Sequence, residues 1–290
     1  RASILWRPTE KLSIRTTAMV QSLRTGASNA MDVTIVGDTI KPKYGDYDVQ
    51  RTIDEANATR YYVYNTTIDW DLDWATLTSA TSYDVLHDHQ FTDGTGSASV
   101  AFFNLQSFLH QKKLTQELRL ASDPGNGPWD WLVGFYYTHE NGALHQDIVT
   151  APHGTVLGFL QLNSRYIETA GFANVTYHFT PAFDLSLGGR YAHNSQAANQ
   201  FGLASAGGSS KGNIFTWSAA AHYKLDDQTS LYARAAKGYR PGGPNALPPV
   251  VPAGVPTFFS ADSLINYEAG EKTDLLDGRL SLDADVFYID

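Results

Sequence analysis

TQELRLASDPGNGPWDWLVGFYYTHE, from Thr115 to Glu140, places Trp129, Trp131, Val133, Phe135 and Tyr137 at every second position, with Asp130, Gly134, Tyr136 and Thr138 between them. Successive side chains of a strand point to opposite faces of its sheet, so this period predicts a strand with one strongly apolar face. Leu114, Leu118 and Leu120 alternate in the same way with Lys113, Thr115, Glu117 and Arg119, and turn formers, Asp-Pro-Gly-Asn-Gly-Pro, separate the two runs. That pattern is a β-hairpin. What its apolar face touches, protein core or lipid, is the question that decides the fold.

Composition narrows the choice. A chain of 290 residues with 42% hydrophobic content could bury a core as one domain or two. The absence of cysteine excludes disulfide scaffolds, thiolate metal sites and cysteine nucleophiles. A pI near 5.4, a net charge of −9 and no basic run argue against a nucleic-acid partner. No stretch approaches the ~18 consecutive apolar residues of a membrane helix. The opening RASILWRPTE is neither a secretion signal nor a methionine start, and SLDADVFYID stops inside an alternating run, so the chain reads as an internal piece of a longer protein.

Alternating segments recur throughout, at about 1–8, 11–25, 58–70, 72–92, 110–122, 129–146, 161–180, 183–198, 212–225, 228–240, 264–276 and 279–290. The links between them take strict turns, short then long, with tight turns at Pro8 to Glu10, Asp123 to Pro128, Thr180 to Ala182, Asp226-Asp227 and Asp277-Gly278. Outer-membrane barrels obey such a rule, having short periplasmic turns and long external loops. Several segments exceed a dozen residues, where soluble strands have about five or six and a tilted membrane strand needs ~9–11. Their faces differ chemically. Leu12, Ile14, Thr16, Ala18 and Val20 oppose Lys11, Ser13, Arg15, Thr17 and Gln21; Tyr62, Tyr64, Ile68 and Trp70 oppose Tyr61, Asn65, Thr67 and Asp69; Phe183, Leu185, Leu187 and Tyr191 oppose Asp184, Ser186, Gly188 and Arg190. Trp70, Trp129, Tyr177 and Phe183 beside short turns suit an aromatic girdle at the headgroup level. Trp74 to Val85 does not sort into two faces.

Four stretches carry a family likeness: LTQELRLAS from Leu114, FANVTYHFTPAFDLSLGGRY from Phe172, SLYARAAKGYRPGGPN from Ser230, and INYEAGEKTDLLDGRLSLDADVFYID from Ile265. With the loop rhythm they cover nearly the whole chain, which resembles the barrel half of TonB-dependent outer-membrane receptors, the iron-complex and related nutrient transporters of Gram-negative bacteria. The resemblance implies an all-β, antiparallel up-and-down transmembrane barrel. Residues 1–290 would supply about 12 strands of a barrel of 22, without the plug, the TonB box or the C-terminal strands. It further implies a cell outer membrane location, lipid around the wall, the TonB-ExbB-ExbD complex as energy-coupling partner, a small-molecule ligand such as a ferric siderophore, no cofactor and no enzymatic activity.

The residues have readings of their own. The prolines of PGGPNALPPVVPAGVP forbid strand pairing and predict a loop. Asp277-Gly278 suits a type I′ turn. Glu268 pairs by spacing with Lys272 on the polar face, and Glu271 falls among lipid-facing residues unless it lies at the rim or the register slips. His87, His89, His110, His139, His145, His153 and His193 fall at the loop ends of strands or in long loops; His87 and His89 share a strand face, a spacing that can hold one metal or ligand. Metal or heme contact and ordinary polar loop residues are both open for them. Aromatic and arginine recognition of iron chelates, which the resemblance implies, points to Tyr44, Tyr47, Arg51 and Arg240 beside His87 and His89. The pairs Asp283 with Asp285 and Asp71 with Asp73 define no substrate cleft, and no phosphate loop, nucleophile elbow or zinc helix motif occurs. Three classes stay in view: a ligand-gated active transporter, a passive porin-like channel and a soluble all-β domain.

Overall fold

The computed structural model describes residues 1–26, 32–37, 39–46, 48–51, 53–94, 103–125, 127–150, 154–247, 254–276 and 278–290, and of Ile35 the backbone alone. Its strands are β1 (Ala2–Thr9), β2 (Leu12–Thr25), β3 (Val33–Val36), β4 (Thr39–Pro42), β5 (Asn57–Asp71), β6 (Ala75–Asp93), β7 (Phe103–Ser122), β8 (Trp129–Thr150), β9 (Val156–Thr180), β10 (Phe183–Gly202), β11 (Ala206–Lys224), β12 (Thr229–Arg240), β13 (Gly243–Pro244), β14 (Phe258–Phe259), β15 (Asp262–Leu275) and β16 (Leu280–Ile289). Among the described residues there is no helix.

Twelve strands form one antiparallel sheet in the order β1-β2-β5-β6-β7-β8-β9-β10-β11-β12-β15-β16. Each strand pairs with its sequence neighbours in the wall, which is up-and-down topology without a crossover. The wall is open within this chain, with β1 and β16 as its edges.

The pairing register fixes the faces, because residues directly opposite one another project to the same side. Leu120 faces Val133, Leu118 faces Phe135, and Trp129, Trp131 and Val133 face Tyr177, Val175 and Ala173. The same side carries Leu12 with Trp70, Ile14 with Ile68, and Leu187 with Ala219. This apolar side is exposed: Val133 is 45% and Phe135 48% accessible. The other side carries Asp69, Glu117, Asp130, Glu168 and Arg190. No large side chain among the described residues is fully buried. The sheet has no core of its own to hide that apolar face.

At the short-turn end, aromatic rings touch along the wall. Trp129 lies 4.3 Å from Tyr177, Tyr177 4.6 Å from Phe179, Phe179 5.5 Å from Phe183 and Phe183 6.5 Å from Tyr223, between ring centroids. Histidine–carboxylate pairs stand just inside, His178 with Asp130 at 2.8 Å and His222 with Asp184 at 3.1 Å. The span that resisted sorting is regular. Leu77, Tyr83 and Val85 of β6 point to the apolar side, and it was illegible because Ser79 and Thr81 share that face while small residues fill the other.

Several expectations need correction. The loop-side links are shorter than the sequence pattern implied: β8 and β9 run to Thr150 and from Val156, and only residues 203–205 join β10 to β11. Polar Gly-, Ser- and Gln-rich ends continue the ladder because backbone pairing needs no apolar face. The proline-rich stretch is not all loop, since Gly243 and Pro244 pair with Phe259 and Phe258. A two-residue ladder tolerates a proline on its free edge. Glu268 does not meet Lys272: residues four apart on an extended strand lie ~13 Å apart. Glu268 instead accepts a 2.6 Å hydrogen bond from the Tyr232 hydroxyl. The register of β15 does not slip, so Glu271 stands on the apolar side opposite Leu231 and Ala284, close to the short turn, and accepts from Thr273 Oγ1 at 2.6 Å. In that turn positive φ falls on Leu276 (55°) and Gly278 (79°), and Asp277 lies outside the described residues. Asp71 ends β5 and Asp73 lies in the turn that follows, the Asp71 carboxylate accepting from the Asp73 amide at 2.8 Å.

Candidate functional site

The polar face carries a cluster built by β8, β9, β10 and β12. Glu168 is 8% exposed. Its carboxylate accepts hydrogen bonds from the hydroxyls of Tyr166 (2.6 Å) and Tyr239 (2.7 Å) and from the Arg190 guanidinium. Arg190 in turn lies over the Tyr136 ring, 4.9 Å from its centroid. A buried carboxylate is tolerable only when charge and hydrogen bonds compensate it, and here three donors do so.

Tyr239 reaches this cluster because β12 bends. Its ladder with β11 ends at Ala236, opposite Ser218, while its ladder with β15 continues to Arg240. Beyond that point the chain crosses the polar face of β10 and β11. Ser210 Oγ donates to the Gly242 carbonyl at 2.8 Å, and the buried Gln200 amide accepts from Leu247 N (2.9 Å) and donates to Leu247 O (2.7 Å). The side-chain amide thus imitates a strand neighbour. At Gly242 a Cβ would come 2.5 Å from the Ala261 amide nitrogen and 2.7 Å from the Phe259 carbonyl oxygen, so this close backbone approach requires glycine.

Below the cluster lies a groove of about 480 Å³, lined by Glu117, Arg119, Arg190, Arg234 and Lys237 among others. Arg119 is paired with Glu117 and Arg190 with Glu168, which leaves Arg234 and Lys237 as the groove's unpaired cations among the described residues and makes it a place for anionic solutes.

The residues singled out from sequence are dispersed. Arg240, at the loop end of β12, is paired with Asp262 at 2.5 Å and lies 5.9 Å from the Phe259 ring. Arg51 bonds Glu55 at 3.0 Å, and Glu55 also accepts from the Asp93 amide at 2.9 Å. Tyr44 is 46% exposed, with the Lys43 ammonium 4.9 Å from its ring centroid. Tyr47 and His153 lie outside the described residues. His87 and His89 share one face as expected, and it is the apolar one. His87 stands opposite Arg60 and His110, with Nδ1 3.2 Å from His110 Nδ1, and His89 stacks on Phe108 at 4.2 Å. His139, His145 and His193 lie on that same side. No group of three or more metal-binding side chains occurs among the described residues.

Sequence reasoning missed Glu168, Tyr166, Arg190, Tyr239 and Gln200. Tyr166 and Glu168 are two apart and so share a face, a legible signal. The link from Tyr239 spans 71 positions and depends on a bend that no local pattern announces.

Residues 6–290 match the family model described as TonB dependent receptor-like, beta-barrel. The pesticin receptor of Yersinia pestis is 30% identical over 183 residues, which are 60% of this chain and 26% of that protein; the pesticin receptor of Yersinia enterocolitica serotype O:8 gives the same figures. The chain thus spans about a quarter of the length of these curated relatives. Among solved structures, the ferric yersiniabactin uptake receptor FyuA from Yersinia pestis superposes with a TM-score of 0.76 at 20% identity, covering 96% of this chain and 42% of that one. The siderophore receptor PiuA from Acinetobacter baumannii gives 0.74 at 14% identity, covering 98% and 48%. These likenesses are to the fold. The open up-and-down wall, its exposed apolar face and the match along nearly its whole length lead to one assignment: the chain belongs to the TonB-dependent receptor-like β-barrel family.

Proposed function

We propose that this chain is part of the barrel wall of an outer-membrane receptor that imports a ferric siderophore or similar iron complex, drawing energy from the TonB-ExbB-ExbD complex through a region outside residues 1–290. In this reading the apolar face meets lipid and the polar face lines the lumen. The carrying observation is the pairing of a wall that has no core of its own with a cationic groove on its polar side. A ferric siderophore bearing carboxylates or catecholates is anionic, and Arg234 and Lys237, the groove's unpaired cations, would attract it. The inward strand end and segment 241–247 narrow the lumen above that groove. The names of the related receptors support an iron complex over other nutrients. Tyr44, Tyr47, Arg51 and Arg240 remain the proposed first contacts; His87 and His89, which stand on the apolar face, are not among them. The test is uptake of radiolabelled ferric siderophore by cells that depend on the complete protein. Uptake abolished by Arg234→Gln combined with Lys237→Gln, with the barrel still assembled, supports the reading; uptake unchanged by the pair refutes the groove's role.

A further inference from the structure

The outer face changes character above the apolar band. One cross-strand row runs Arg60, His87, His110, and the next places Lys112 beside Asn141 and Arg165. Because each hairpin steps along its neighbour, Lys211, opposite Ser195, continues this level on β11. The carboxylates on this face of the wall strands, Asp93, Asp147 and Glu271, lie away from it. Asp93 and Asp147 are six residues further toward the loops than His87 and Asn141, and Glu271 is at the opposite rim.

Pairing reinforces the asymmetry. On the polar side Lys113 pairs with Glu140, Arg119 with Glu117 and Arg190 with Glu168. Arg60, Lys112, Arg165 and Lys211 are exposed, and none of them pairs with a carboxylate among the described residues. In a chain of net charge −9, a row of cations without counter-charges marks a face that meets anions.

The Arg60–His87–His110 row also borders a cavity of about 360 Å³, whose wall includes Ala58, His89 and Phe108. Tyr62 touches His87 edge-on at 6.1 Å, and with Val85 continues the apolar surface downward. Arg60 shares its row with the two imidazoles and Lys112 shares the next row with Tyr62 and Val85, so cations and rings meet at the upper border of the apolar surface, the level at which a phosphorylated lipid presents its headgroup.

We infer that this belt, centred on Arg60, His87, His110 and Lys112, is a binding surface for the phosphate headgroup of a lipid in the leaflet that surrounds the loop end of the barrel. The inference rests on the membrane placement proposed above.

The test uses the complete protein, folded into phosphatidylcholine vesicles with or without phosphatidic acid, then extracted in mild detergent. Retained lipid is counted by native mass spectrometry, and barrel integrity is read from heat-modifiable gel mobility. Wild-type protein should retain phosphatidic acid over phosphatidylcholine. Retention should weaken about fivefold for each cation removed in Arg60→Gln and in Arg60→Gln with Lys112→Gln. Arg15→Gln, on the polar face, should retain as wild type does. Folded double variant retaining as much as wild type, Arg15→Gln losing as much as Arg60→Gln, or displacement by millimolar inorganic phosphate would each overturn the lipid assignment. Failure of wild-type protein to fold into vesicles would overturn the membrane placement, and the belt with it.

Discussion

Replacing Val133 with arginine tests the assignment of the two faces. Val133 lies four residues above the girdle tryptophan of its own strand, between Leu120 and Ala173, and is 45% exposed. At ~2.5 Å of height per residue for a tilted strand, four residues lift it ~10 Å, near the middle of an apolar band ~25 Å tall. An arginine there costs ~2–4 kcal/mol against lipid. The adjacent Gly134 is a poor comparison, since a Cβ added there would come 2.3 Å from the Phe172 ring and add a steric penalty of its own. Asn174 is better: it stands beside Ala173, at the same height, is exposed, and points to the polar face. Asn174→Arg should cost well under 1 kcal/mol, because a wet lumen solvates the guanidinium. Reversible guanidinium unfolding of the complete protein in phospholipid vesicles, followed by tryptophan fluorescence, measures both. Equal destabilisation by the two arginines, or a larger effect at Asn174, would refute the assignment of lipid and lumen.

Other outcomes follow from the polar-face contacts. Gln200→Ala should release segment 241–247 while leaving the wall intact, seen as faster hydrogen exchange at the Leu247 amide with unfolding free energy changed by no more than ~1–2 kcal/mol. Glu168→Gln should destabilise by ~1–3 kcal/mol, since the Arg190 charge loses its partner, whereas Tyr239→Phe, which removes one neutral donor, should cost ~1 kcal/mol; guanidinium midpoints compare them. Gly242→Leu should displace the crossing segment from the Phe259–Ala261 backbone, with the same exchange readout at Leu247 and no change in the ladder between β9 and β10.

The wall was legible because its signal is local and repeated. The twelve wall strands were located by their period of two, although β6 did not sort into faces, and the tight turns by proline, glycine or aspartate; the short pairs β3-β4 and β13-β14 were not foreseen. The histidines at the strand ends were also visible, but their side of the sheet was not. His87 is assigned to the outer face only when its register with Arg60 and His110 is known, and a shift of one residue would reverse it. The strand extensions at 199–202 and 206–211 escaped notice because no run of apolar residues marks a face there. The buried cluster around Glu168 escaped for another reason. It is assembled by a strand that leaves its neighbour after Ala236, and that departure depends on glycine, glutamine and tyrosine contacts far apart in sequence.

The central claim, energy-coupled import through this barrel, is tested most directly by iron uptake in cells that carry the complete protein as their sole receptor for a supplied ferric siderophore. Initial rates are measured with the proton-motive force intact and after an uncoupler collapses it. The account predicts saturable uptake that falls to background when the force is lost, with siderophore still bound at the cell surface. Uptake that continues undiminished through the uncoupler, rising linearly with siderophore concentration, would contradict it and identify a passive channel.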